Sequence, residues 1–230
     1  MRLRVMSYNI KGHGSLFWRS HIDEIARVIR DANPDVAGLQ EVHRWRWQSR
    51  GHDQAAELEQ ATGLKLSFGR TLGDDRREYG NAILTRAEIV DTRVDPLPGN
   101  GEPRSLLAAT IAFGGVRMHA YVTHFSAWGR FGAKNRMGQA EAVARIAGSS
   151  TLPFVLMGDF NSTPSSEELR AFHDGKLVSS CFPLDVITYR ATKKCLDYVF
   201  ADPGWHIRDA RVLTLGPSDH WPLVAELERE

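Results

Sequence analysis

Short apolar runs in this chain stop abruptly on acids or amides, and that recurrence limits the folds open to it more than any other feature. Val36-Ala37-Gly38-Leu39-Gln40 meets Glu41, Val155-Leu156-Met157 runs into Gly158-Asp159-Phe160-Asn161, and Asp197 stands inside Cys195-Leu196-Asp197-Tyr198-Val199-Phe200. Runs this short suit buried strands better than helices. Asn9, His124 and the pair Asp219-His220 fall at comparable junctions between strand and loop. Strand ends are where α/β folds carry their sites, because the scaffold fixes the backbone while the loops leave room for a ligand.

Helical spacing separates the strands. Residues 2 to 9 read as a strand, followed by a loop with Gly12 and Gly14. Ser20 with Asp23 and Glu24 resembles a cap for a helix that carries Ile22, Ile25, Ala26 and Ile29 on one face and stops at Asn33-Pro34. A strand from Asp35 to Gln40 ending on Glu41, a helix over 53 to 62 closed by Gly63, and a strand over 64 to 69 complete a β-α-β-α-β order. The middle is antiparallel in character, with strands at 81 to 85, 88 to 95, 104 to 113 and 116 to 123, and a long surface turn from Pro96 to Pro103. A helix follows over 134 to 147, with Gly148 as its stop. After it come a strand at 153 to 158, a short helix opened by Thr163-Pro164, and strands at 186 to 190, 196 to 201, 206 to 214 and 221 to 227. This order predicts two mixed β-sheets packed face to face with helices on the outer faces.

With 230 residues, 42% of them hydrophobic and 25% charged, the chain can bury a full core as a single domain over residues 1–230. A net charge of +1 makes no demand for a polyanionic partner, although cations can still gather around one cleft. Cys181 and Cys195 are too few for a disulfide framework and form no CxxC, which favours reduced thiols in a cytoplasmic protein. The N-terminus lacks the apolar core of a signal peptide, and no run approaches the ~20 apolar residues of a membrane span. A monomer without a transmembrane segment is the expectation.

Each polar junction also has an ordinary reading. Glu41 can be a solvated strand end, Asp159 and Asn161 an Asx turn, Asp219 part of a capped loop, and His124 a satisfied structural histidine. Asp197 is harder to dismiss: a charge within an apolar strand must be paired, with an Arg or a backbone turn, or bound to metal.

Together the junctions carry a resemblance. Ser7-Tyr8-Asn9-Ile10, Leu39-Gln40-Glu41-Val42, Tyr79-Gly80-Asn81-Ala82-Ile83-Leu84, Thr123-His124, Gly158-Asp159-Phe160-Asn161, Leu196-Asp197-Tyr198-Val199-Phe200 and Ser218-Asp219-His220 resemble, in order, the motifs of the endonuclease/exonuclease/phosphatase superfamily. The resemblance implies a four-layer α/β sandwich like that of pancreatic-type deoxyribonuclease, and a divalent-metal-dependent phosphoesterase. It implies that Asn9, Glu41 and Asp219 hold the principal metal; two hard carboxylates and an amide carbonyl suit Mg²⁺ or Mn²⁺. Asp159 is the candidate to orient or deprotonate the attacking water, and Asn161 to position it. His220 would stabilise developing charge, with Asp197 holding its imidazolium. His124 resembles the second histidine of deoxyribonuclease-like members. Tyr79 and Asn81 match the family's strand entering the cleft and are the candidates for substrate contact, and Arg104 is either a phosphate clamp or the cover of a sheet edge.

The substrate is more open. Basic and aromatic residues interleave after Glu41, from His43 to Arg50, and after His124, at Trp128, Arg130, Phe131, Lys134 and Arg136. That pattern suits nucleic acid, where bases stack and phosphates pair with Arg, but also a phospholipid, another small phosphoester, or plain packing. Val42-His43 follows Glu41 where the apurinic endonucleases carry a Lys, which argues against a dedicated abasic-site enzyme. Zinc chemistry finds no HExxH among the nine histidines. A catalytically silent binding module of the same fold is the third reading.

Overall fold

The computed structural model describes residues 1–12, 21–127, 129, 131–173, 179–180 and 186–230. The strands are β1 (Arg2–Asn9), β2 (Val36–Arg44), β3 (Lys65–Asp74), β4 (Arg77–Thr85), β5 (Glu88–Leu97), β6 (Arg104–Phe113), β7 (Val116–His124), β8 (Phe154–Asp159), β9 (Ser179–Ser180), β10 (Asp197–Ala201), β11 (His206–Val212) and β12 (Leu223–Glu228). The helices are α1 (His21–Ala32), α2 (Gln54–Thr62), α3 (Gly132–Gly148) and α4 (Arg170–His173). They build two six-stranded mixed sheets, in the orders β11-β12-β1-β2-β4-β3 and β5-β6-β7-β8-β10-β9.

Each sheet contains one parallel pair joined through a helix: β1 and β2 through α1, and β7 and β8 through α3. The parallel pairs are buried on both faces, so their sequences read as nearly continuous apolar runs. Val5, Val36, Val122 and Met157 fill the layer between the sheets. Met6, Tyr8 and Leu39 face outward to Ile25 and Ile29 of α1, while Leu156, Phe160 and Phe200 pack with α3 and α4. The sheets meet closely at Gly38, where a Cβ would come within 2.7 Å of Val122 Cγ2.

Local signals explain several boundaries. In α1, Ile22, Ile25, Ala26 and Ile29 are buried, and the helix gives way at Asn33, whose φ of 51° is the left-handed conformation that ends helices. The Ser20 cap expected for α1 lies outside the described residues, as do Gly14, Trp128, Arg130 and Cys181. Asp53 caps α2 by accepting from the Ala56 N–H, and Gly63 closes it at φ 69°.

Other boundaries differ from the sequence reading. β2 does not end at Glu41 but continues antiparallel to β4 as far as Arg44, after a bulge between Leu39 and Val42. No strand forms at 186 to 190. Thr188 Oγ1 accepts the Leu196 and Asp197 N–H groups, and Tyr189 makes only isolated bridges to Lys194 and His220. The short helix begins later than Thr163, with a 3-10 turn at Glu167–Leu169 running into α4. Among the described residues no helix is long and apolar enough to cross a membrane.

Candidate active site

The carboxyl ends of the two parallel pairs point to one place. Asn9 lies opposite Gln40 in the first, next to Glu41, and His124 lies opposite Asp159 in the second. Asp197 enters as the antiparallel partner of Asp159. The loop before β12 brings Ser218, Asp219 and His220, anchored where Ser218 Oγ donates to Asn9 O at 2.7 Å and accepts the His220 N–H at 3.1 Å.

Three residues here adopt the left-handed conformation. Lys11, Glu41 and Asn161 have φ of 46°, 61° and 49°, a region costly for non-glycine residues and found where surrounding structure enforces it. Glu41 owes its conformation to the bulge, which turns its side chain from the sheet into the cleft. Gly12 packs directly on it: the Gly12 N–H donates to Glu41 O at 3.0 Å, and a Cβ there would lie 2.1 Å from that oxygen.

Asn9 Nδ2 donates to Glu41 Oε1 at 3.1 Å and to Asp159 Oδ2 at 3.0 Å, tying one acid from each sheet to a single amide. Its Oδ1 accepts the Lys11 N–H at 3.0 Å and keeps a second lone pair for a cation. Asp219 Oδ2 receives Lys11 Nζ at 2.6 Å. Glu41, Asp159 and Asp219 line a common pocket, and this hard-oxygen set fits a small divalent cation. Asp159, Asp197 and His220 are also close enough to share an ion, with one donor atom from each within 4.8 Å of the others.

His220 Nδ1 lies 2.8 Å from Asp197 Oδ2, which leaves Nε2 facing Asp159 Oδ2 at 3.6 Å. Burial alone pulls the imidazole's pKa down, but Asp197 and Asp159 raise it to about 10. His124 behaves oppositely. Arg104 Nη1 is 3.0 Å from His124 Nδ1, and a guanidinium can only donate, so the proton of the neutral ring sits on Nε2, 3.5 Å from Asp159 Oδ2. Burial, Arg104 and His220 hold His124 well below the usual histidine range. Burial first, then Asp197, pushes the Asp159 carboxyl upward against the pull of His220. The site therefore brings a cationic histidine and a neutral one to the same oxygen of a carboxylate with a raised proton affinity.

The pocket encloses about 530 Å³. Tyr79, Arg104, His124, Asn161 and His220 line it; Asn81, Asn9 and Asp197 are buried behind its wall. Asn81 is therefore not placed to touch substrate as the sequence suggested: its Nδ2 donates to Ser105 O at 3.2 Å, while Asn161 Nδ2 donates to Phe125 O at 3.0 Å. Arg104 is held by Glu102 at 3.0 Å, while its buried Nε has no partner among the described residues. Lys11, Glu102 and Tyr189 are wall residues that the sequence reading did not single out. Lys11 had one available signal, its place two residues past Asn9; Glu102 and Tyr189 had none.

The basic and aromatic cluster divides. Arg46 and Gln48 reach the pocket, with Trp45 40% and Trp47 76% exposed beside them. Arg44 instead pairs with Asp53 and Glu78, and Arg136 is buried against Glu168 at 2.9 Å, so both are structural.

Residues 6–220 match the family model described as Endonuclease/Exonuclease/phosphatase family. Similar solved structures include the endonuclease/exonuclease/phosphatase from Beutenbergia cavernae, 25% identical with a TM-score of 0.83, covering 99% of this chain and 72% of that one. The human nocturnin catalytic domain with bound sulfate is 23% identical with a TM-score of 0.79, over 100% of this chain and 94% of that one. The mannosyl-6-phosphatase of Bacteroides thetaiotaomicron is 20% identical with a TM-score of 0.79, over 98% and 99%. Among curated proteins, none matches the sequence.

Proposed function

This chain belongs to the endonuclease/exonuclease/phosphatase family, a family of phosphoester hydrolases, and we propose that it is a divalent-metal-dependent phosphodiesterase acting on nucleic acid. The observation that carries the reading is the convergence of Glu41, Asp159 and Asp219 with the Asp197–His220 pair on one pocket at the ends of two parallel strand pairs.

Glu41, Asp219 and the Asn9 carbonyl would hold Mg²⁺ or Mn²⁺, which would supply charge neutralisation at a phosphate oxygen. The protein's own groups do the rest. Asp159 accepts the proton of the attacking water; its raised affinity for protons suits that task. Asn161 sets the Asp159 carboxylate by donating its N–H to Oδ1 at 2.9 Å. His220, kept cationic by Asp197, presents Nε2–H to the phosphate and gives that proton to the leaving oxygen as the P–O bond breaks, and His124 presents its own Nε2–H beside the same Asp159 oxygen. Arg104 and Tyr79 close the wall around the phosphate.

For nucleic acid, the support is the placement of Arg46 in the pocket beside exposed Trp47, which offers a charge for a phosphate and a face for a base. A second reading, hydrolysis of a small phosphoester, is favoured by the concavity of a pocket of about 530 Å³, a volume typical of small-ligand sites. The test is turnover of plasmid, single-stranded oligonucleotide, phospholipid and sugar phosphate with Mg²⁺ or Mn²⁺, each repeated in chelator. Chelator-sensitive cleavage of oligonucleotide above the others supports the first reading. Turnover of sugar phosphate alone replaces it with the second, and no turnover of any phosphoester overturns both.

A further inference from the structure

Lys11 is rooted in the site more firmly than a surface lysine. Its N–H donates to Asn9 Oδ1, and the next residue is clamped on both sides, by Glu41 O and by Gln54 Nε2, which donates to Gly12 O at 2.6 Å. From that fixed base the four-carbon stem carries Nζ to within 2.6 Å of Asp219 Oδ2, and the two side chains are 38% and 29% exposed. Both line the pocket.

An ammonium and a divalent cation seek the same carboxylate oxygen. The ammonium gives Asp219 a partner that costs no ligand, and it opposes the approach of a second positive charge at close range. A lysine stem is flexible, and its ammonium pairs equally well with a tetrahedral dianion. We propose that Lys11 is the built-in counter-cation of the metal site: it positions Asp219, competes with the divalent cation for it, and is drawn off by a phosphoryl group entering the pocket. Metal and substrate then load together, each tightening the other by the same factor, as linkage requires. This inference rests on Asp219 being a metal ligand, as the proposed function has it.

Mn²⁺ binding to the apoprotein, followed by electron paramagnetic resonance, tests it without turnover. Titrations are run with and without sulfate as the tetrahedral dianion, with ionic strength matched by chloride. Lys11→Met should tighten Mn²⁺ binding about three- to fivefold in the absence of sulfate, the scale of a partly exposed ion pair. The same variant should shrink the ratio of the Kd values without and with sulfate. Lys11→Arg keeps the charge and should stay near the wild-type Kd. Damage to the site would weaken Mn²⁺ binding, the opposite direction. An unchanged or weaker Kd in Lys11→Met, or an unchanged sulfate ratio, overturns the proposal. Glu41→Gln separates the two levels: if it too leaves Mn²⁺ binding intact, the metal-site reading falls with the proposal. If it abolishes binding while Lys11→Met binds as wild type does, only the role of Lys11 falls.

Discussion

His220 Nδ1 sits 2.8 Å from Asp197 Oδ2, and the second oxygen of that carboxylate, Oδ1, is buried without a hydrogen-bond partner among the described residues. Asp197 thus commits one oxygen to the imidazole. Its burial in low-dielectric surroundings strengthens the field that holds a proton on the ring.

Asp197→Asn should lower kcat on a phosphodiester by roughly 10²- to 10⁴-fold, the range set by carboxylates behind catalytic histidines, while far-ultraviolet circular dichroism stays unchanged. The same variant should bring the His220 titration down from about 10, read by NMR on the metal-free protein. In the wild type this raised value makes a stability contribution that is complete below the unfolded pKa of 6.5 and is lost as pH climbs through about 10. In Asp197→Asn that alkaline loss should begin at lower pH. A His220 titration left near 10 in the variant would show that Asp197 does not sustain it.

Glu168→Ala should destabilise the fold by about 3 kcal/mol in urea melts, because it strips Arg136 of a buried partner 2.9 Å away. Burial alone would raise the Glu168 carboxyl, but Arg136 and Ser162 outweigh it and leave the pKa below its ordinary 4.5. A depressed carboxylate stabilises above its unfolded pKa and loses that contribution as pH falls through the folded value. The variant should therefore show a flatter decline in stability below pH 4.5 than wild type. Equal acid slopes would remove Glu168 from the account.

Gly12→Ala should cost about 1–3 kcal/mol, since its Cβ would come within 2.1 Å of Glu41 O and the loop must shift. The displaced Glu41 should also weaken Mn²⁺ binding. Melting temperature and Mn²⁺ titration, measured together, check both; retained stability with retained binding would mean that the close approach at Gly12 is dispensable.

Trp47→Ala should leave stability within about 0.5 kcal/mol of wild type, as the ring is 76% exposed. If the ring stacks on a base, KM for a single-stranded oligonucleotide should rise about tenfold, the lower part of the range for base–aromatic stacking. KM for a small sugar phosphate should not change. Parallel rises on both substrates would point to a general distortion of the 45–50 loop.

The strands and the acids at their ends were legible in the sequence because burial on both faces leaves an apolar run, and a carboxylate interrupts it visibly. Glu41 shows the limit of that signal. The polar residues after it read as the end of the strand, whereas a bulge carries β2 on to Arg44, and a bulge changes pairing without changing composition. The stretch at 186 to 190 shows the reverse. Its β-branched residues suit a strand, yet Thr188 spends its hydroxyl on the Leu196 and Asp197 N–H groups and no ladder forms. Arg136 looked like a cation for a ligand until α3 placed it against Glu168, 32 positions away. Lys11 and Asp219 are 208 positions apart, and no local pattern announces a pairing that only the closed sheet creates.

The central place of β1, between β12 and β2, has a consequence for how the protein is made. Ser218 anchors to Asn9 across 209 positions, and β12 pairs with β1 from Arg2↔Glu228 to Ser7↔Leu223. A nascent chain can therefore close the second sheet, with His124, Asp159 and Asp197 already in it, while β1 still waits for its neighbour on one side. Asp219 and His220 join them only when β12 pairs with β1. A phosphoester hydrolase assembled in that order lacks both from its pocket until its last strand docks.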